Sequence, residues 1–132
     1  MATRSHIGKK LSDGTIKYIY CHWDGYPDHN GRILKEHYTD EAKIDALLEL
    51  GNISSLNEEI GEKHDFNDHD LIVENKWVNA YGRDRGETDT EARIAKNVSE
   101  LYQSSNWTEY HYVWDGSSWT CYDNKGYEIV IK

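Results

Sequence analysis

Proline, phenylalanine and methionine each occur once in this chain of 132 residues. With so little Phe and Met, the core must come from aliphatic side chains, ten Tyr and five Trp. Those aromatics bury much area but each carries a polar tip, so many are expected half buried with the tip at the surface. Cysteine is nearly absent too. Cys21 and Cys121 lie far apart and neither belongs to a CxxC pair, which excludes paired thiolate metal ligands and a CxxC redox motif. Two reduced, partly buried thiols are expected. No apolar run is long enough for a membrane span or a leader, so a cytoplasmic protein is expected. The Asn-x-Ser/Thr triplets at Asn52, Asn97 and Asn106 are then chance matches.

Positive charge is also scarce. Fifteen Lys and Arg against twenty-four Asp and Glu leave a net charge of −9. Such a chain is repelled by nucleic-acid phosphates and anionic membranes, so direct contact with either is not expected. It suits basic partners, including the positively charged grooves of nucleic-acid enzymes, although acidic surfaces also serve plain solubility. Missing as well are an HExxH helix, an EF-hand loop, a GxSxG elbow, a P-loop and a dinucleotide fingerprint. No cofactor is expected.

What the chain does contain reads as a single α+β domain over residues 1–132. "IGKKL" and "TIKYIYCH" flank the turn "SDG" as a hairpin. In the second strand both faces carry apolar groups, which predicts a central position. "DGYPDHNG" breaks that strand, and Asn30 is a fair N-cap for a short helix, "GRILKEHY". Thr39 caps the next helix, which Ile44, Leu47 and Leu48 place on the core and Gly51 ends. Ser55 and Glu58 form a capping-box pattern for a third short helix. Residues 58–74 and "GRDRGETDTE" read as loops, "NKWVNAY" as a strand, and Asn97 as the cap of a helix over Val98–Ser104. "TEYHYVWDGSSWTCYDNKGYEIVIK" gives three strands. An antiparallel sheet of about five or six strands with two or three helices follows.

Four constellations carry chemistry. In "YIYCHWDGYPDHNGRILKEHY", His22 and Asp24 are metal ligands by type at a strand end. Their spacing fits no metal motif, and hydrogen bonding within the turn is the plainer role. The segment 58–74 holds seven acids against Lys63 alone. Within it, Glu62, Asp65, Asp68 and Asp70 form a contact surface for a basic partner, or a solvated loop, with Phe66 as an anchor. Arg83 and Arg85 lie between two glycines, an arrangement that can hold a phosphate, and with Trp23 and Tyr26 form a candidate nucleotide-like ligand site. Pairing of these arginines with Asp84 and Glu87 is the plainer alternative. Cys21 and His22 are adjacent strand residues and point to opposite faces, so they form no thiolate–imidazole pair. Cys121 and His111 form one only if the hairpin register allows.

"MATRSHIG", "DGTIKYIYCHWDGYPDHNGRILKEHY", "LGNISSL" and "AYGRDRGET", in that order, resemble a family of small accessory proteins encoded by bacteriophages and prophages. The resemblance runs in segments to about Glu91 and brings no catalytic residues with it. It implies a phage protein in the cytoplasm of an infected bacterial host, one that binds and inhibits a host or defence-system protein in an anti-CRISPR-like way. Occupation of a basic nucleic-acid groove by the acidic surface fits that setting, and an oligomer is compatible with it. A module that sequesters a nucleotide-like signalling molecule is the alternative, and a metal-dependent hydrolase using His22 and Asp24 the third.

Overall fold

The computed structural model of the chain describes residues 2–104 and 107–131, so Asn106 lies outside the described residues. Strands β1 (Arg4–Lys10) and β2 (Ile16–Cys21) form the expected hairpin, with Ile7 opposite Ile19. Asp13 fixes the turn by accepting from the Thr15 amide and hydroxyl. Thereafter come α1 (Arg32–His37), α2 (Glu41–Glu49), β3 (Ile53–Ser55), α3 (His69–Asn75), β4 (Asn79–Ala80), α4 (Tyr81–Arg85), β5 (Arg93–Ala95), α5 (Val98–Gln103), β6 (Thr108–Trp114), β7 (Trp119–Tyr122) and β8 (Glu128–Ile129).

The fold is α+β, but its sheet is larger than the hairpins suggest and is not wholly antiparallel. Eight strands run in the order β4-β3-β2-β1-β6-β7-β8, with β5 also on β2. β6 lies parallel to β1, and β3 parallel to β2. β2 is central, as its two apolar faces require. The helices number five among the described residues rather than two or three.

Ile7, Ile19, Cys21, Leu34, Tyr38, Ile44, Leu47, Leu48, Tyr112 and Trp114 form the main core between the sheet and α1–α2. Tyr38 and Tyr112 are fully buried rather than tipped into solvent. Their hydroxyls donate to the carbonyls of Asn57 (2.7 Å) and Gly25 (2.6 Å), so burial leaves no polar tip unpaired. The other sheet face carries a small core, Ile16, Ala95, Leu101 and Val113, beneath α5. The row of His6 and His111 lies beside it and is buried as well.

Several local expectations change. Pro27–Gly31 is a π-helical turn running straight into α1, so Asn30 is no N-cap. Its buried amide instead donates to Ser5 Oγ and Cys21 Sγ, each at 3.3 Å. Asp40, not Thr39, caps α2 by accepting from the Ala42 amide. Gly51 ends α2 at φ +73°, packed so closely on the Thr90 carbonyl that no side chain fits. The 55–61 segment forms no helix; its start is β3 instead. The acidic stretch contains α3, whose end at Lys76 adopts a left-handed conformation. The "GRDRG" segment contains α4, and the strand expected over 75–81 shrinks to Asn79–Ala80. Asn97 does cap α5, accepting from the Glu100 amide. No helix among the described residues is long and apolar enough to cross a membrane.

Candidate functional site

The two glycine-flanked arginines are structural. Arg83 donates from Nε to Asp84 (2.9 Å), from Nη1 to the Ile60 carbonyl (2.9 Å) and from Nη2 to the Val78 carbonyl (2.8 Å). Asp84, whose side chain is fully buried, also accepts from the Ala80 and His64 amides. His64 closes the network, with Nδ1 on the Glu62 carbonyl and Nε2 on Asn79 Oδ1. Arg85 pairs with Glu87 and lies over the rings of Phe66 and Tyr81. Phe66, half-buried, stacks on Tyr81 at 5.5 Å and belongs to neither core cluster. Arg83 is therefore committed to the fold, and the plainer alternative describes both arginines. No hydrogen bond or ring contact among the described residues joins them to Trp23 or Tyr26.

This network pins an acidic corner. Asp65 and Asp68 accept from the Asn67 and Leu71 amides, and Asp68 thereby caps α3. Glu62, Asp65, Asp68 and Asp70 are exposed. Among the described residues none of the four has a basic side chain in ion-pair range. Val73 on α3 is 71% exposed beside them. Glu58, by contrast, is taken up by His37 (3.2 Å) and Lys76 (3.3 Å).

At the β2–α1 corner, Asp24 sits at φ +56° and its carbonyl accepts from the Asn30 amide. His22 Nδ1 is engaged by the Tyr20 hydroxyl at 2.7 Å, and its ring stands edge-on to Trp23 at 4.8 Å. Trp23 and Tyr26 are exposed. Among the described residues no three His, Cys, Asp or Glu side chains converge as a metal set, so His22 and Asp24 gain no third ligand. The thiols are fully buried and unpaired, and burial pushes Cys21 up to about 11 and Cys121 up to about 12. In the hairpin register Cys121 faces Tyr112, while His111 faces Tyr122. Cys121 and His111 thus point to opposite faces.

The sheet face of the small core holds the arrangement that sequence reasoning missed. Register places Tyr20, His6, His111 and Tyr122 in one row across β2, β1, β6 and β7. His6 Nδ1 lies 3.0 Å from His111 Nδ1, and His111 Nε2 lies 2.7 Å from Asn124 Oδ1. The amide oxygen accepts, so His111 donates at Nε2 and accepts at Nδ1; His6 must donate from Nδ1. His6 Nε2 then carries a lone pair. Burial, with the neighbouring His111, lowers His6 to about 3, and burial lowers His111 as well. Tyr18 stands edge-on to His6 at 4.9 Å, room for which comes from Gly8: a Cβ there would meet Tyr18 Cβ at 3.0 Å. Arg93 lies opposite Tyr18 in register. His6, Tyr18, Tyr20, Asn52, Arg93 and Ser104 line a cleft of about 180 Å³. The sequence signal was slight: a histidine inside each of two strands, joined only by the parallel β1–β6 pairing. No family model matches the chain, and neither the curated proteins nor the solved structures contain a match to it.

Proposed function

We propose that the protein acts by binding: it docks the acidic corner, residues 62–74, on a basic surface of a host or defence-system protein and inhibits that protein. The observation that carries this reading is the set of four exposed carboxylates without basic partners among the described residues, on a segment tied by the Arg83–Asp84–His64 network. A pre-ordered surface loses little conformational freedom on association, and charge complementarity speeds encounter. Exposed Val73 adds an apolar contact within the same patch. The phage-like motifs of the first 91 residues supply the setting, the cytoplasm of an infected bacterium, and a basic nucleic-acid groove is the kind of target that suits the charge.

The test is affinity capture from bacterial lysate, with the captured protein identified and its stoichiometry measured. A Glu62→Lys, Asp65→Lys, Asp70→Lys variant is run in parallel; Asp68 is left intact because it caps α3. A stoichiometric partner with a basic face is expected, released at high salt and lost with the variant. Capture that is indifferent to both salt and charge reversal counts against the reading.

A further inference from the structure

A second site lies away from the acidic corner and does not depend on it. We propose that the cleft on this sheet face, beside His6, binds a small anionic ligand with a flat hydrogen-bonding ring, the chemistry of a nucleotide. His6 is 5% exposed, yet no buried side-chain nitrogen or oxygen among the described residues lacks a partner. Among the described residues Nε2 of His6 has no hydrogen-bond partner, and His6 lines the cleft. The relay from Asn124 through His111 fixes Nε2 as an acceptor.

Asn52 supplies the complementary group. Its Oδ1 accepts from the Tyr20 amide at 3.0 Å, which leaves its Nδ2 as the donor of this cleft-lining side chain. An acceptor and a donor on one wall match a ring edge that presents the reverse pair, as a nucleobase does. Tyr18 and Tyr20 give aromatic surface for the ring. Arg93 is exposed and has no ion-pair partner among the described residues, and it lines the same cleft. It is thus placed for the anionic end. Arg4 adds positive charge beside Tyr20 and His22. Asp123, the acid that acts on His111, has its carboxylate held by the Lys125 and Tyr127 amides. In a chain of net charge −9 this is a locally cationic, aromatic recess.

The experiment titrates the purified full chain with AMP, GMP, CMP and UMP, with the corresponding nucleosides, and with inorganic phosphate. Calorimetry and melting temperature are the readouts, and the His6 ring-nitrogen signals are followed by NMR. The expected result is saturable binding of at least one nucleotide that moves the His6 Nε2 signal. Its nucleoside should bind roughly tenfold more weakly, since one charge-assisted contact is lost. Phosphate alone should leave the melting temperature unchanged. Arg93→Glu, on an exposed strand position, should keep the unliganded melting temperature and weaken nucleotide binding by at least as much. Three results would overturn the proposal: no nucleotide binding at millimolar concentration, an equal response to phosphate alone, or binding that ignores Arg93→Glu. Arg93→Glu leaves the acidic corner intact, so capture of a basic partner by that variant separates this site's failure from the other's.

Discussion

His64 and His6 are both deeply buried histidines, yet their surroundings differ in kind. Each ring nitrogen of His64 faces an oxygen, and the Asp84 carboxylate lies 3.5 Å from Nδ1. His6 faces another histidine, no carboxylate among the described residues pairs with it, and it lines a cleft. In the first region the hydrogen bonds join chain segments to one another, tying residues 60–66 to β4 and α4. The second region, on the proposal above, keeps an acceptor in reserve, and burial lowers its pKa. A polar network that closes on itself stabilises a fold, whereas one that ends on an open lone pair leaves a group for a ligand.

The sharpest way to break this contrast is to open the closed network. Asp84→Ala removes the acceptor of Arg83 and of the Ala80 and His64 amides. Loss of one partner of a buried charged pair costs about 3–5 kcal/mol. Chemical denaturation should show a loss of that size, and Asp84→Asn, which keeps one oxygen, should lose less. A loss below about 1 kcal/mol would mean the corner is not held by this network.

The neutral pair predicts a pH dependence. His6 is lowered to about 3 and His111 is lowered, both chiefly by burial. An unfolded histidine takes up its proton near pH 6.5. Below that value the unfolded chain binds protons that the folded one refuses, so stability is full above about 6.5 and is lost as pH falls toward 3. The slope is at most about 1.4 kcal/mol per pH unit for each group. Between about pH 6.5 and 5 ordinary carboxylates stay ionised, so urea melts in this window isolate the histidines. His22, also lowered by burial, adds a share that a His22→Gln control removes. A wild-type stability that does not fall across this window would show that the pair is not held neutral.

The two regions also differ in how much of them the sequence discloses. Local signals worked where the physics is local. The Asp13 turn, the central β2, the Ile44–Leu47–Leu48 stripe and the Asn97 cap all follow from neighbours in sequence. The parallel partner of β1 was not legible, since β6 arrives almost a hundred residues later and no turn announces it. With that pairing hidden, His6 and His111 were two unrelated histidines. The cap expected at Asn30 and the helix expected after Ser55 failed because Asn30 is spent on Ser5 and Cys21 and Ser55 ends a strand.

Smaller effects refine the acidic side. Asp68→Ala removes the α3 cap and should cost about 1 kcal/mol. Asp70→Ala removes the same charge two residues on, within the first turn, where no side-chain bond is lost, and should change stability by less than about 0.5 kcal/mol. Equal effects would mean that α3 responds to charge alone rather than to the cap.

The smallest stability effect belongs to Arg93, and its smallness is informative. The guanidinium is exposed on β5, opposite Tyr18, with no ion-pair partner among the described residues. Surface substitutions away from caps, pairs and cores fall within about ±0.5 kcal/mol. Arg93→Glu should therefore unfold in urea within that margin of the parent chain, with an unchanged midpoint slope. An arginine that supports the fold, as Arg83 does through three donors, would not behave this way. If Arg93→Glu proves as costly as loss of Asp84, the sheet face is a second closed network, and its cleft holds no group in reserve.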